Sequence, residues 1–241
     1  MAKVSAGAGT GLYASRPRQR TWTCGDHCIR PCRSTPQVGC RDALSTTSSG
    51  ALLRSVRHSL IVDTDDVWQL VEQARRERDG SLQADEVAQR MVELLAEREP
   101  AEIASFAQPL WDLLAESYRV ELWAAAYVVN GGASDDGFDY FRGWLITQGR
   151  TVFQQAVADP DTLADNPIVI QSAAAGECLE DGDVLNVASN AYLAATGHEL
   201  PHDAFTIRYP ELDFTWDFDD EAEMRQRLPR LTDLHYQSAE A

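Results

Sequence analysis

The chain has 241 residues, 44% of them hydrophobic, and a formal charge of −17. At roughly 150 residues per domain, that length predicts one domain plus an extension, with enough apolar content for a core that needs no disulfide or metal staple. No apolar run approaches the roughly 18 residues that span a bilayer, so the sequence reads as a soluble, cytoplasmic protein with no membrane partner.

The charge is unevenly spread. Residues 1–60 carry nine basic side chains against Asp26 and Asp42, whereas residues 61–241 carry 12 arginines against 36 carboxylates. Such a field repels phosphate backbones and anionic lipids, which disfavours nucleic acid as a partner of the domain. A basic protein partner or a cation is electrostatically easier, although acidity alone also serves solubility. Lys3 is the only lysine; with the many alanines, this looks like the codon bias of a high-GC bacterial genome.

Residues 1–61 are basic, rich in Gly, Ser, Thr, Pro and Arg, and without helical or strand period. They bury too little apolar surface to offset the entropy of ordering, so disorder is expected there, as for a short tail at 237–241. Cys24, His27, Cys28 and Cys32 offer soft ligands at near-regular spacing, a weak zinc candidate with no packing pattern around it. Regular structure begins abruptly at Val62. If a GTG codon there is the true start, residues 1–61 are not translated, and a native peptide containing Trp22 excludes that.

The predicted elements follow in order through 62–236. Thr64 or Asp65 caps a helix running to Arg78, with Val67, Trp68, Val71 and Ala74 inward. A second helix spans about 82–98 on the stripe Val87, Met91, Leu94 and Leu95. Pro100 opens a third, which Pro109 kinks or splits, and the pattern continues through Tyr118 and Trp123 to Asn130. Gly131-Gly132 ends that run. Ser134 or Asp135 caps the next helix, which carries Phe138, Phe141, Trp144 and Leu145 inward as far as Gly149. A short helix over 151–158 closes at Asp159-Pro160. Residues 161–182 have no clear period. A helix over 183–196 stops at Gly197. Cys178 is expected to be a small buried hydrophobe. Phe214, Trp216 and Phe218 alternate with polar residues, predicting an extended aromatic-acidic segment laid against the bundle. Glu221 to Leu228 reads as a helix ended by Pro229. With no β-α-β alternation, the fold class is all-α, a single-domain irregular helical bundle.

The stretch Tyr127-Val-Val-Asn-Gly-Gly-Ala-Ser-Asp-Asp-Gly-Phe-Asp-Tyr-Phe-Arg-Gly-Trp-Leu-Ile-Thr-Gln-Gly149 resembles the bacterial family known as domain of unknown function 4240. Three further pieces resemble it: Asp66-Val-Trp68, the 156–164 segment with Asp159-Pro160-Asp161, and the run from Trp216 to Leu231. The resemblance covers nearly all of 63–236. It implies a predominantly helical domain and implies no activity.

The best polar constellation is Asn130, Ser134, Asp135, Asp136, Arg142, Gln148 and Arg150. One reading is a corner between helices held by caps, with Asp135 and Asp136 on a positive helix end and Arg142 reaching back to Asp135 or Asp139. Another is a cation or polar-ligand site, since glycines let carboxylates approach a hard cation, although the ligand spacing of a calcium loop is missing. A third is a buried Asp–Arg pair within an interaction surface. His198 and His202 flank Pro201 and read as exposed loop histidines. No phosphate loop, dinucleotide fingerprint, nucleophile elbow or His-Glu-x-x-His is present, so no cofactor is expected. The leading functional expectation is a non-catalytic interaction or regulatory domain that binds a basic protein. The alternative is an enzyme, metal-assisted, using Asp135, Asp136 and Arg142.

Overall fold

The structure is a computed structural model that describes residues 62–77 and 83–238. The cysteine-histidine cluster at 24–32 and the remainder of 1–61 lie outside the described residues. Every regular element among the described residues is helical, in agreement with the all-α expectation.

α1 (Thr64–Glu77) starts one residue earlier than a Thr64 cap and two earlier than an Asp65 cap would allow, because Asp63 is the cap. Its carboxylate accepts from the backbone of Asp65 (2.9 Å) and Asp66 (3.2 Å), and Asp66 accepts in turn from the Asp63 amide at 3.0 Å. This reciprocal pairing satisfies amides that have no partner within the helix. α2 (Ala84–Ala96) buries the expected stripe. α3 (Pro100–Ser105) and α4 (Ala107–Glu116) are one predicted helix split in two. Pro109 has no N–H to give the Ser105 carbonyl and its ring crowds that group, so the break falls there.

A second break was not legible. The run expected to reach Asn130 stops at Ser117, whose hydroxyl donates to the carbonyls of Leu113 (3.0 Å) and Leu114 (3.1 Å). That side chain takes over the terminal acceptors, Arg119 turns extended, and α5 (Val120–Val129) begins anew. α5 ends as the double glycine predicts. Gly131 and Gly132 hold φ of 66° and 137°. The amide of Gly132 bonds the Tyr127 carbonyl at 2.8 Å and that of Gly131 bonds Val128 at 3.4 Å, the paired pattern of a left-handed helix stop.

α6 (Asp135–Thr147) is the central helix, in contact with α1, α2, α4, α5 and α7. Its Gly143 permits a close approach, since a Cβ there would lie 2.1 Å from the Asp181 carbonyl. α7 (Arg150–Ala158) leads into a 3-10 turn at Pro160–Asp165. α8 (Pro167–Ala175) occupies part of the stretch without a clear period. Asn166 accepts from the Ile168 amide at 2.8 Å, Pro167 is the first residue, and Gly176 is left-handed at the end. A 3-10 turn at Val184–Asn186 precedes α9 (Val187–Thr196), which packs on α2 and α3. Residues 197–220 are irregular. They lay aromatic rings on the bundle: Phe205 on Trp111, Tyr209 on Tyr118, Phe214 on Trp123 and Phe218 on Tyr127.

α10 (Glu221–Arg227) is capped by Asp220. α10 ends before Pro229, as expected, and Pro229 also opens a helix that was not expected, α11 (Pro229–Ser238), at a position where a missing N–H costs nothing. α11 therefore takes in the first two residues of the expected tail at 237–241. It packs on α5, α8 and the 160–165 turn. Cys178, expected in the core, is only half-buried, its sulfur 3.9 Å from the Asn130 carbonyl oxygen.

Candidate functional site

Gly131 and Gly132 turn the chain between α5 and α6, and the polar residues singled out from sequence distribute around this corner and along α6. Asn130 does not face Asp135. Its amide oxygen accepts from the Leu179 backbone at 2.9 Å, and its nitrogen donates to the Leu179 carbonyl at 3.3 Å and to Glu180 at 3.5 Å. Asn130 thus fastens the 178–181 segment to the end of α5, as a backbone strand partner would. Ser134 caps α6 by accepting from the Gly137 amide at 3.1 Å. Asp135 and Asp136 are exposed on the first turn, where the helix dipole favours carboxylates.

Arg142 is fully buried. Its guanidinium lies 4.8–4.9 Å from the ring centroids of Tyr118, Phe138 and Tyr209. It donates to the Leu114 carbonyl, to Asp139, and to the Tyr209 hydroxyl at 3.1 Å. Of the two acids within sequence reach it takes Asp139, one helical turn back. Burial raises the pKa of Tyr118 and of Tyr209, and the neighbouring guanidinium pulls the other way. Both stay neutral hydroxyls that pack against the cation.

Gln148 and Arg150 belong to the opposite end of α6, about 20 Å along the helix at 1.5 Å per residue. Gln148 is buried and donates to the Thr147 hydroxyl at 3.1 Å. Arg150 is exposed and pairs with Asp65 at 2.8 Å, joining α7 to α1. The seven residues therefore form a loop clamp, an exposed helix start, a buried aromatic cage and a joint between α1 and α7. They do not converge on one cleft. Among the described residues, no group of three or more His, Cys, Asp or Glu side chains is arranged to hold a metal ion. His198 and His202 are exposed, as expected, and His202 lines an open groove of about 350 Å³ between α9 and the 199–205 loop.

Sequence reasoning missed several polar positions. Asp181 is buried, and one of its carboxylate oxygens has no hydrogen-bond partner among the described residues. Burial pushes its pKa up to about 6, against the lowering effect of the Asp183 amide. Neighbouring Glu180 is raised by the same cause. Asp161 accepts from the backbone of Arg230 (3.1 and 3.2 Å) and Leu231 (3.0 Å), so it caps α11 from 69 residues away. Tyr127 donates to Asp219 at 2.5 Å, which pins the aromatic-acidic segment to α5. Burial, and then the bond to Asp219, raises the Tyr127 pKa. Asp159, Pro160, Asp161 and the 216–231 run were visible as pieces of a resemblance; nothing in sequence said that they meet.

Residues 62–194, more than half of the chain, match the family model described as "Protein of unknown function (DUF4240)". The chain belongs to this family. No curated protein and no solved structure matches it. The DUF4240 match takes in α1 to α8 and most of α9, including Arg142, its cage residues Tyr118 and Phe138, and the Gly-Gly corner. Tyr209, Phe214 and the α10–α11 pair lie beyond the matched range.

Proposed function

We propose that the domain is a non-catalytic interaction module, acting in the cytoplasm, whose acidic surface binds a basic protein. The observation that carries this reading is how its few cations are spent. Among the described residues, Arg90, Arg98, Arg150, Arg225, Arg227 and Arg230 all pair with carboxylates of this same chain, and Arg142 is buried on Asp139. Little positive charge is left to offset the excess of acids, so the outer surface is negative. Such a field steers a cationic partner and repels nucleic acid.

The α6 corner supports this reading over a catalytic one, since Arg142 is enclosed while Asp135 and Asp136 face outward. The test is affinity capture on the full chain at low ionic strength, followed by a salt step and reconstitution with the purified partner. One stoichiometric basic protein, released by salt and rebound in pure form, is the expected result. Absence of any stoichiometric partner at low salt contradicts it.

A further inference from the structure

We propose that the edge formed by Phe214 and Trp123 seats an arginine side chain of the basic partner. This rests on the reading of the acidic surface above and names its point of contact. The molecule builds the same kind of seat repeatedly for its own arginines. Arg227 lies 4.3 Å from the Trp216 centroid while Glu223 bonds its guanidinium. Arg225 lies 5.3 Å from the Tyr236 centroid with Glu221 beside it. Arg98 lies 4.6 Å from Phe106 and pairs with Glu102. Each seat is one aromatic face plus a carboxylate. That composition suits a guanidinium, which is flat, weakly hydrated and able to fork onto an acid.

Phe214 has the same composition without an occupant. The residue is 52% exposed, yet its ring is held edge-on at 5.4 Å from Trp123 and 5.9 Å from Phe218. Trp123 is itself fixed, its indole N–H bonding the Ala133 carbonyl at 3.0 Å. Acidic residues flank this edge along the chain. Asp213 precedes Phe214. Asp135 opens α6 two residues after Ala133, whose carbonyl holds the Trp123 indole. Asp219 accepts from the Tyr127 hydroxyl, one turn further along α5, at 2.5 Å. Among the described residues, no arginine lies over Phe214. A purely apolar partner group would strand these acids, and an ammonium would lose more hydration on the ring than a guanidinium does.

The experiment measures binding of fluorescently labelled octa-arginine and octa-lysine to the full chain at low ionic strength. It compares wild type with Phe214→Ala, with Phe214→Leu, which keeps bulk without a π face, with the pair Asp135→Asn/Asp213→Asn, and with the distant pair Glu199→Gln/Asp203→Asn. Both Phe214 variants are expected to weaken octa-arginine about threefold to fivefold and octa-lysine less than twofold. The Asp135/Asp213 pair is expected to weaken both peptides more than the distant pair does. Unchanged octa-arginine binding in the Phe214 variants, or equal effects of the two charge pairs, overturns the seat and leaves the broader acidic-surface reading standing. Failure of both peptides to bind wild type removes that reading as well.

Discussion

Arg142 shows how much of this fold hangs on single polar side chains. A guanidinium with no exposure is tolerated because three rings face it and Asp139, the Leu114 carbonyl and Tyr209 take its hydrogen bonds. Truncation strands a half-buried carboxylate and opens a hole between α4, α6 and Tyr209. Arg142→Ala is therefore expected to lose about 3–5 kcal/mol in urea unfolding. Arg142→Lys should recover little of this, since an ammonium cannot lie flat among three rings. Two further groups, the buried Asp181 and the half-buried His235, shift the pH dependence of stability with opposite signs. The Asp181 pKa is raised to about 6 in the folded state, so the folded chain holds this proton more tightly than the unfolded one. Its contribution is favourable below about pH 4 and is lost as pH rises to about 6. For His235, burial pulls the pKa down to about 4, so its contribution is present near neutrality and is lost as pH falls from about 6.5 to 4. Asp181→Asn keeps the acceptor for the Asp183 amide while removing the charge. At pH 7 it should gain stability on the order of 2–3 kcal/mol. Its unfolding free energy, measured from pH 4 to 7, should then fall less or rise more with pH than that of wild type; a profile parallel to wild type over that window refutes the assignment to Asp181.

At the scale of elements, the sequence was most readable where a single residue ends a helix by its own chemistry. The Gly131-Gly132 stop, the Ser134 cap, the Gly197 stop and the Pro109 split follow from φ, from a side-chain oxygen or from a missing N–H. They needed no knowledge of what lies across the core. The misreadings share a different cause. Ser117 breaks a helical pattern through a hydroxyl that bonds backward, and a serine in an apolar run carries no mark of which way it will bond. Pro229 ends α10 as read, but the helix it also starts was missed, because the Asp161 cap that holds that helix lies 69 residues away. The candidate site was less legible than the fold, because Asn130, Arg142 and Gln148 are close in sequence yet point to different neighbours around α6. The Asp161 cap yields a local prediction. Asp161→Ala should cost about 1–2 kcal/mol. Amide exchange should accelerate across 229–236 while the interior of α6 keeps its protection. Uniform acceleration throughout the domain would mean that α11 is not separately held by this carboxylate.

For the molecule as a whole, 36 carboxylates and 12 arginines after residue 60 leave a surface dominated by one sign. Three of the arginines are committed to joints: Arg150 ties α7 to α1, Arg230 ties α11 to the 160–165 turn, and Arg142 fills the space below Tyr209. The same residues that hold the helices together thus leave the acids outside uncompensated. The most direct measurement is the salt dependence of octa-arginine affinity for the full chain, in wild type, Phe214→Ala and Asp135→Asn/Asp213→Asn. Attraction between exposed charges is screened within about 10 Å at 0.1 M salt, whereas ring contact is not. Affinity should fall steeply with salt in wild type, fall with the same slope from a lower value in Phe214→Ala, and fall with a shallower slope in the double aspartate variant. An affinity indifferent to salt, or one that both sets of substitutions leave untouched, would contradict the account.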